Sequence, residues 1–190
     1  MKQQKFVKSI LTKRLELKPL EPSFEFATML FKEISNNREY FRFMPFVQVK
    51  SAEEEFKWMI SAKSEFESGK SAVYAVWLRK TNEFVGLVDV HSISWKRENG
   101  EFGAWILKKF ARQGYTTEAL KALEKYFFDM GFHKLTALAN VKNRASCGTI
   151  KKLGFQKEGV LRDESFNKYM NEWENYALFS KLATEYTRGK

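Results

Sequence analysis

Apolar positions recur along this chain in two rhythms. Over residues 10–17, Leu11, Leu15 and Leu17 alternate with polar residues as in a half-buried strand, which Pro19 and Pro22 close. From Ser23 to about Arg42 the spacing becomes helical, carried by Phe26, Met29, Leu30, Ile34 and Phe41, until Pro45 breaks it. Ser51 followed by Glu54 is a capping box, and Phe56, Met59, Ile60 and Phe66 carry a second helix toward Gly69.

The two-residue rhythm returns at mid-chain. Residues 72–78 and 84–93 read as strands joined across Lys80-Thr81-Asn82-Glu83, and the turn signal Asn99-Gly100 precedes a third strand over 101–107. These three strands form an antiparallel meander. Ala119, Leu120, Leu123, Tyr126, Phe127 and Met130 then repeat at helical spacing up to Gly131. Residues 135–139 read as a strand, 146–153 as a helix stopped by Gly154, and 155–161 and 173–182 as closing strands. Strands precede and follow helices, so the class is mixed α/β, with no internal repeat.

Composition narrows this picture. With 190 residues, 44% of them apolar and 29% charged, the chain suits one folded domain, 1–190. Cys147 is its only cysteine, which excludes an intrachain disulfide and suits a reducing compartment, so the expected location is the cytoplasm. No apolar stretch follows the basic start, and none approaches the roughly 18 residues of a membrane span, so neither secretion nor membrane contact is expected. Lys and Arg exceed Asp and Glu by 33 to 23, which attracts polyanions generally. The basic residues form no block, and direct nucleic-acid binding is not expected.

Between the third strand and the long helix lies a short loop, Arg112-Gln113-Gly114. A strand that turns straight into a helix leaves backbone N–H groups unpaired where the helix dipole favours negative charge, which makes a phosphate site. Gly114 permits close backbone approach or a positive φ, Arg112 adds charge, and Thr116 and Thr117 are suited to capping the helix or donating hydroxyls to a diphosphate. Taken alone, the glycine serves equally well to make a turn. No Lys-Ser or Lys-Thr pair follows it and no three-glycine fingerprint is present, which disfavours an ATPase or a dehydrogenase.

The loop also resembles part of a family pattern. Ala111-Arg112-Gln113-Gly114-Tyr115-Thr116 is similar to the Gln/Arg-x-x-Gly-x-Gly/Ala motif of the GNAT superfamily of N-acyltransferases, keeping its central glycine but with Ala111 at the basic position and Thr116 at the last small one. Tyr115-Thr116-Thr117-Glu118-Ala119 resembles the Gly-Tyr-x-Thr-Glu-Ala run of the branch that contains the ribosomal-protein N-terminal acetyltransferases. Further matches fall on Thr12-Lys13-Arg14-Leu15-Glu16-Leu17-Lys18-Pro19, Phe84-Val85-Gly86-Leu87, Glu101-Phe102-Gly103-Ala104-Trp105, Asn143-Arg144-Ala145-Ser146 and Lys152-Leu153-Gly154-Phe155. The resemblance covers nearly the whole chain and implies a central, mostly antiparallel twisted sheet flanked by helices.

It also implies acetyl-CoA as co-substrate, with no metal, and transfer to a primary amine by direct attack. The cofactor residues carried over are Trp105, Ile106, Leu107, Arg112, Gln113, Gly114, Tyr115, Thr116, Thr117, Asn143 and Ser146. Such transfer needs a neutral amine, stabilisation of an oxyanion, and a proton for the departing thiolate. The resemblance points to Glu101 as the base, acting through water, with Glu164 in Arg162-Asp163-Glu164-Ser165 as a weaker rival. It points to a strand amide near Ile106 or Leu107 for the oxyanion, and to Ser146 as the acid, with Asn143 holding the pantetheine amide. Their plainer readings are a solvent-facing or lysine-paired Glu101, an Asn143 that only caps a helix, and an ordinary early-helix Ser146.

Cys147 has no histidine near it in sequence and reads as a packed thiol, and His91 and His133 lack metal-ligand spacing. The aromatic stretch Tyr40-Phe41-Arg42-Phe43-Met44-Pro45-Phe46 lines either the acceptor site or the core. The expected acceptor is the N-terminal amine of a protein such as a ribosomal protein. The alternatives are a small amine (a polyamine, which the scarcity of acidic clusters disfavours, an amino sugar or an aminoglycoside) and a catalytically silent CoA-binding module. The sequence leaves room for a homodimer.

Overall fold

The structure is a computed structural model that describes residues 5–37, 42–43 and 50–186. The described elements run β1 (Ile10–Leu11), β2 (Leu15–Pro19), α1 (Phe24–Asn36), α2 (Ala52–Glu67), β3 (Ala72–Leu78), β4 (Phe84–Ser94), β5 (Asn99–Ile106), α3 (Tyr115–Asp129), β6 (Lys134–Asn140), α4 (Arg144–Lys152), β7 (Gln156–Asn167) and β8 (Glu172–Leu182). The strands form one sheet in the order β1-β2-β3-β4-β5-β6-β8-β7. Every neighbouring pair is antiparallel except β5 and β6, which α3 joins as a parallel crossover. The class is mixed α/β with a mostly antiparallel sheet, as the rhythms predict.

Local chemistry sets the helix ends. Ser51 Oγ accepts from Glu54 N at 3.3 Å, while the Glu54 carboxylate reaches Lys50 N at 3.0 Å, one residue earlier than a capping box requires. Ser23 caps α1 in the same way through Phe26 N. On α3 the buried residues are Ala119, Leu120, Leu123, Glu124, Phe127 and Phe128. The apolar ones join a core that also takes in Leu15, Leu17, Tyr74, Val76 and Val88 from the sheet. Phe6 fills the space between the rings of Phe66, Trp95 and Phe127, at centroid distances of 5.2, 5.9 and 5.7 Å. Lys181 ties the far side together, pairing with the buried Glu124 of α3 and donating to the Leu153 carbonyl at 2.7 Å.

The structure departs from the sequence pattern in four places. The single strand expected over 10–17 is two short strands folded on each other, with Ile10 opposite Leu17. The first helix ends at Asn36, where Asn37 Nδ2 donates to the Glu33 carbonyl, and residues 38–41 of the span expected to reach about Arg42 lie outside the described residues. Asn99-Gly100 opens β5 instead of forming the turn, which lies at residues 95–98 with Glu98 at φ +53°. The closing strand β7 continues to Asn167 across an irregularity between Leu161 and Ser165, with Asp163 at φ +49°. Of the aromatic stretch 40–46, only Arg42 and Phe43 are described; Tyr40, Phe41, Met44, Pro45 and Phe46 lie outside the described residues.

Candidate active site

Beside β5 the sheet opens. The parallel pairing of β5 with β6 holds only for Asn99 to Phe102 against Lys134 to Ala137, yet β5 continues to Ile106 and β6 to Asn140. Their outer edges remain paired with β4 and β8. The strands therefore diverge and their shared ladder stops in mid-sheet, with the Asn140 carbonyl at the end of β6 taken up by Asn143 N–H at 2.8 Å. Ala104, which continuous pairing would enclose, is exposed. The wall on each side continues into a helix N-terminus, β5 into α3 and β6 into α4, so two positive dipole ends follow the two edges.

Hydrogen-bond parity decides which β5 amides face this gap. Leu107 N donates to Val85 O at 2.9 Å, so Leu107, Trp105 and Gly103 turn their N–H groups toward β4 while Ile106 and Ala104 turn theirs toward the gap. Of the two amides expected to serve an oxyanion, Ile106 is available and Leu107 is not. Leu107 is buried and contributes packing. Trp105 is half-buried, its ring 6.3 Å from that of Phe84.

From Leu107 a turn of 3-10 helix over Lys108–Phe110 leads into the loop. Arg112 and Gly114 both have positive φ, +62° and +80°. Gly114 is itself the N-cap of α3 and no side chain caps this end, so Thr116 and Thr117 lie inside the first turn rather than capping it. The backbone donors there are left for a ligand. Ala111, Arg112 and Gln113 are exposed, and the Gln113 side chain donates to Lys109 O at 2.9 Å. An exposed loop with two left-handed residues and an uncapped helix start fits a diphosphate. The adjacent gap lies between the ends of β5 and β6 that no longer pair with each other.

On β4 and β5, Asp89 lies opposite Gly103 and His91 opposite Glu101, so all four share one face. His91 Nδ1 is 2.6 Å from Asp89 Oδ1, and its Nε2 is 3.6 Å from Glu101 Oε1. The hydrogen bond to Asp89, followed by that to Glu101, raises the imidazole from 6.5 to about 10, against the opposing effect of burial. His91 is thus a cation at neutral pH, held between two carboxylates. A Cβ at position 103 would stand 2.3 Å from Asp89 Oδ2, so glycine there leaves the room Asp89 occupies. Glu101 pairs with this histidine rather than with a lysine. His91 carries no metal-ligand spacing; its sequence signal is an Asp-x-His on one hairpin strand opposite a Glu-x-Gly on the next.

At the start of α4, Asn143 Oδ1 accepts from Ser146 N at 3.0 Å, the capping contact of the plainer reading. The cap occupies the amide oxygen, and the amide NH2 is the group that remains for a pantetheine carbonyl. Ser146 is half-buried in the first turn of α4. Cys147 Sγ lies 3.7 Å from Asn140 O and packs against the core. Glu164 is exposed on the irregular segment of β7. Across the β7–β8 pair, the buried Glu174 accepts from Asn167 Nδ2 at 3.1 Å and from Tyr176 Oη at 3.4 Å. Burial, then the charge of Glu174, pushes the Tyr176 phenol up to about 12. Among the described residues no group of three His, Cys, Asp or Glu side chains is arranged to hold a metal ion, and no helix is long and apolar enough to cross a membrane.

The site thus combines a gap between the diverging ends of β5 and β6 with an uncapped helix start behind β5. The acetyltransferase (GNAT) domain model matches residues 14–156, and the chain belongs to that family. It is an N-acetyltransferase with acetyl-CoA as co-substrate. Its relatives include the uncharacterized N-acetyltransferases YoaA of Bacillus subtilis (strain 168), 27% identical over 67% of this chain and 72% of that one, and p20 of Bacillus licheniformis, 25% identical over 95% and 99%. Among solved structures, RimL, a ribosomal L7/L12 alpha-N-protein acetyltransferase in complex with coenzyme A, superposes with a TM-score of 0.84 at 19% identity, covering 94% of this chain and 99% of that one. The microcin C7 self-immunity acetyltransferase MccE, with acetyl-CoA and AMP, gives 0.80 at 19% identity over 90% and 93%.

Proposed function

We propose that the acceptor is the N-terminal amine of a protein, a ribosomal protein being the first candidate, and that the reaction takes place in the cytoplasm. The observation that carries this reading is the agreement of nearly the entire fold with RimL, which acts on the α-amine of a ribosomal protein. Chemistry supports it. An α-amine has an ordinary pKa of about 7.7 to 8.0 against about 10.4 for a lysine, so it loses its proton with less help.

The chain's own groups divide the work. The Arg112-to-Thr117 segment receives the diphosphate through the backbone N–H groups of Tyr115, Thr116 and Thr117, with Arg112 adding charge. Acetyl-CoA, when bound, supplies the thioester carbonyl. Ile106 N–H, directed into the gap, takes up the charge that develops on the carbonyl oxygen. Glu101 takes the proton of the attacking amine through water, and the Asp89–His91 pair holds Glu101 from the neighbouring strand. The Ser146 hydroxyl hydrogen-bonds the departing sulfur and relays to it a proton drawn from water, so that the thiol leaves neutral and the serine keeps its own, and Asn143 steadies the pantetheine amide through its NH2 group. Glu164 is the rival base, farther along β7.

Free-thiol release from acetyl-CoA, measured against N-terminal peptides, intact ribosomal proteins, polyamines, amino sugars and aminoglycosides, tests the acceptor class. The reading expects turnover with peptides or proteins bearing a free N-terminus. Turnover confined to the small amines would replace it.

A further inference from the structure

The turn between β1 and β2 reaches across to the phosphate loop through one side chain. Arg14 Nε lies 2.6 Å from Glu118 Oε2, and Arg14 N donates to Glu118 Oε1 at 2.9 Å. Its Nη1 donates to the Gln113 carbonyl at 3.1 Å, and its guanidinium carbon stands 4.3 Å from the centre of the Tyr115 ring. The remaining nitrogen, Nη2, is 3.5 Å from where a Cβ on Gly114 would sit. One guanidinium thus touches Gln113 and Tyr115, on either side of Gly114, at the point where loop becomes helix. The turn is braced in its own right. Thr12 Oγ1 donates to Glu118 Oε1 at 2.7 Å, while Arg79 N donates to Arg14 O and Arg79 Nη1 to Thr12 O, at 2.9 and 2.8 Å.

Glu118 makes such a clamp necessary. It lies in the first turn of α3, beside the N–H groups that would receive a diphosphate, and a free carboxylate there would repel the ligand. Burial works to raise its pKa, but the Thr12 hydroxyl and the Arg14 backbone and guanidinium outweigh that and hold it below the ordinary value. It is therefore charged, and Arg14 both neutralises and fixes it. The motif's usual basic position is Ala111 in this chain, so no side chain there can steady the loop.

We propose that Arg14 is a positioning residue for the donor: it fixes the loop at Gln113 and Tyr115, on either side of Gly114, and neutralises Glu118, so that the start of α3 can accept the diphosphate. The proposal rests on the reading of that loop as the diphosphate site.

The test compares acetyl-CoA with S-acetylpantetheine, which has the same thioester and no diphosphate, as donors for the wild type, Arg14→Ala and Arg14→Lys. With Arg14→Ala, KM for acetyl-CoA should rise about tenfold or more while kcat stays within about twofold and KM for S-acetylpantetheine is unchanged. Arg14→Lys should behave like the alanine variant, because one ammonium cannot hold Glu118, the Gln113 carbonyl and the Tyr115 ring together. An equal loss with both donors would reduce Arg14 to a general structural role, and a lysine variant equal to the wild type would show that charge alone suffices; either result overturns the proposal. A wild type with the same KM for both donors would instead overturn the diphosphate reading beneath it. Turnover of the truncated donor reports in each variant that the protein is folded.

Discussion

At the scale of single residues, the face shared by β4 and β5 holds one imidazole between two carboxylates. Because folding raises His91 from 6.5 to about 10, its contribution to stability is complete below pH 6.5, declines as pH rises through that interval, and is gone above about 10. The difference in Tm between the wild type and His91→Asn should therefore be largest below pH 6.5 and shrink toward pH 10. A difference independent of pH would contradict the pairing. Glu101→Gln keeps the shape of the row and removes the carboxylate proposed as base, and turnover at neutral pH should fall about a hundredfold or more; activity at the wild-type level would overturn that role and favour Glu164. The cluster of Asp89 and His91 with Glu101 was not legible in the sequence, since it arises from the β4–β5 register, which places Asp89 and His91 opposite Gly103 and Glu101. The roles proposed for Glu101 and Ser146 come only from the family resemblance. Nothing in their local spacing separates a base from a solvent-facing glutamate.

At the scale of elements, the loop between β5 and α3 combines two kinds of information. Its glycine was readable in advance, because Gly114 at φ +80° does what a glycine ahead of a helix is expected to do. Gly114→Ala meets no close atom, Arg14 Nη2 being 3.5 Å away, so its cost is backbone strain of about 1 kcal/mol, read as a lower Tm together with a raised KM for acetyl-CoA. A variant with unchanged Tm and KM would show that the left-handed conformation is not needed. The expected threonine caps did not form because the chain reaches its left-handed residue one position before the helix, making Gly114 the cap. The helix period of α3 and the strand rhythm of β3 and β4 carried through to the structure because each buries one continuous face. The segment 10–17 misled because a hairpin folded within it keeps Leu15 and Leu17 buried while Leu11 points out. Arg14, one residue before that second strand, carries no local sign of reaching α3.

At the scale of the molecule, the single parallel pair in an otherwise antiparallel sheet creates the site. Two strands joined by a helical crossover can part after four paired residues because each keeps its antiparallel partner on the other edge. The mixed class and the mid-chain meander were readable from periodicity, whereas the gap was not, since no residue pattern marks where pairing stops. Family membership then sets the chemistry, and the acceptor is the claim that remains to be measured. The most direct measurement is mass-spectrometric localisation of the acetyl group after incubating the protein and acetyl-CoA with peptides that carry both a free N-terminus and an internal lysine. The account predicts acetylation of the α-amine with the lysine untouched. Acetylation of the lysine alone, or of neither amine while a small amine in the same mixture is modified, would contradict it.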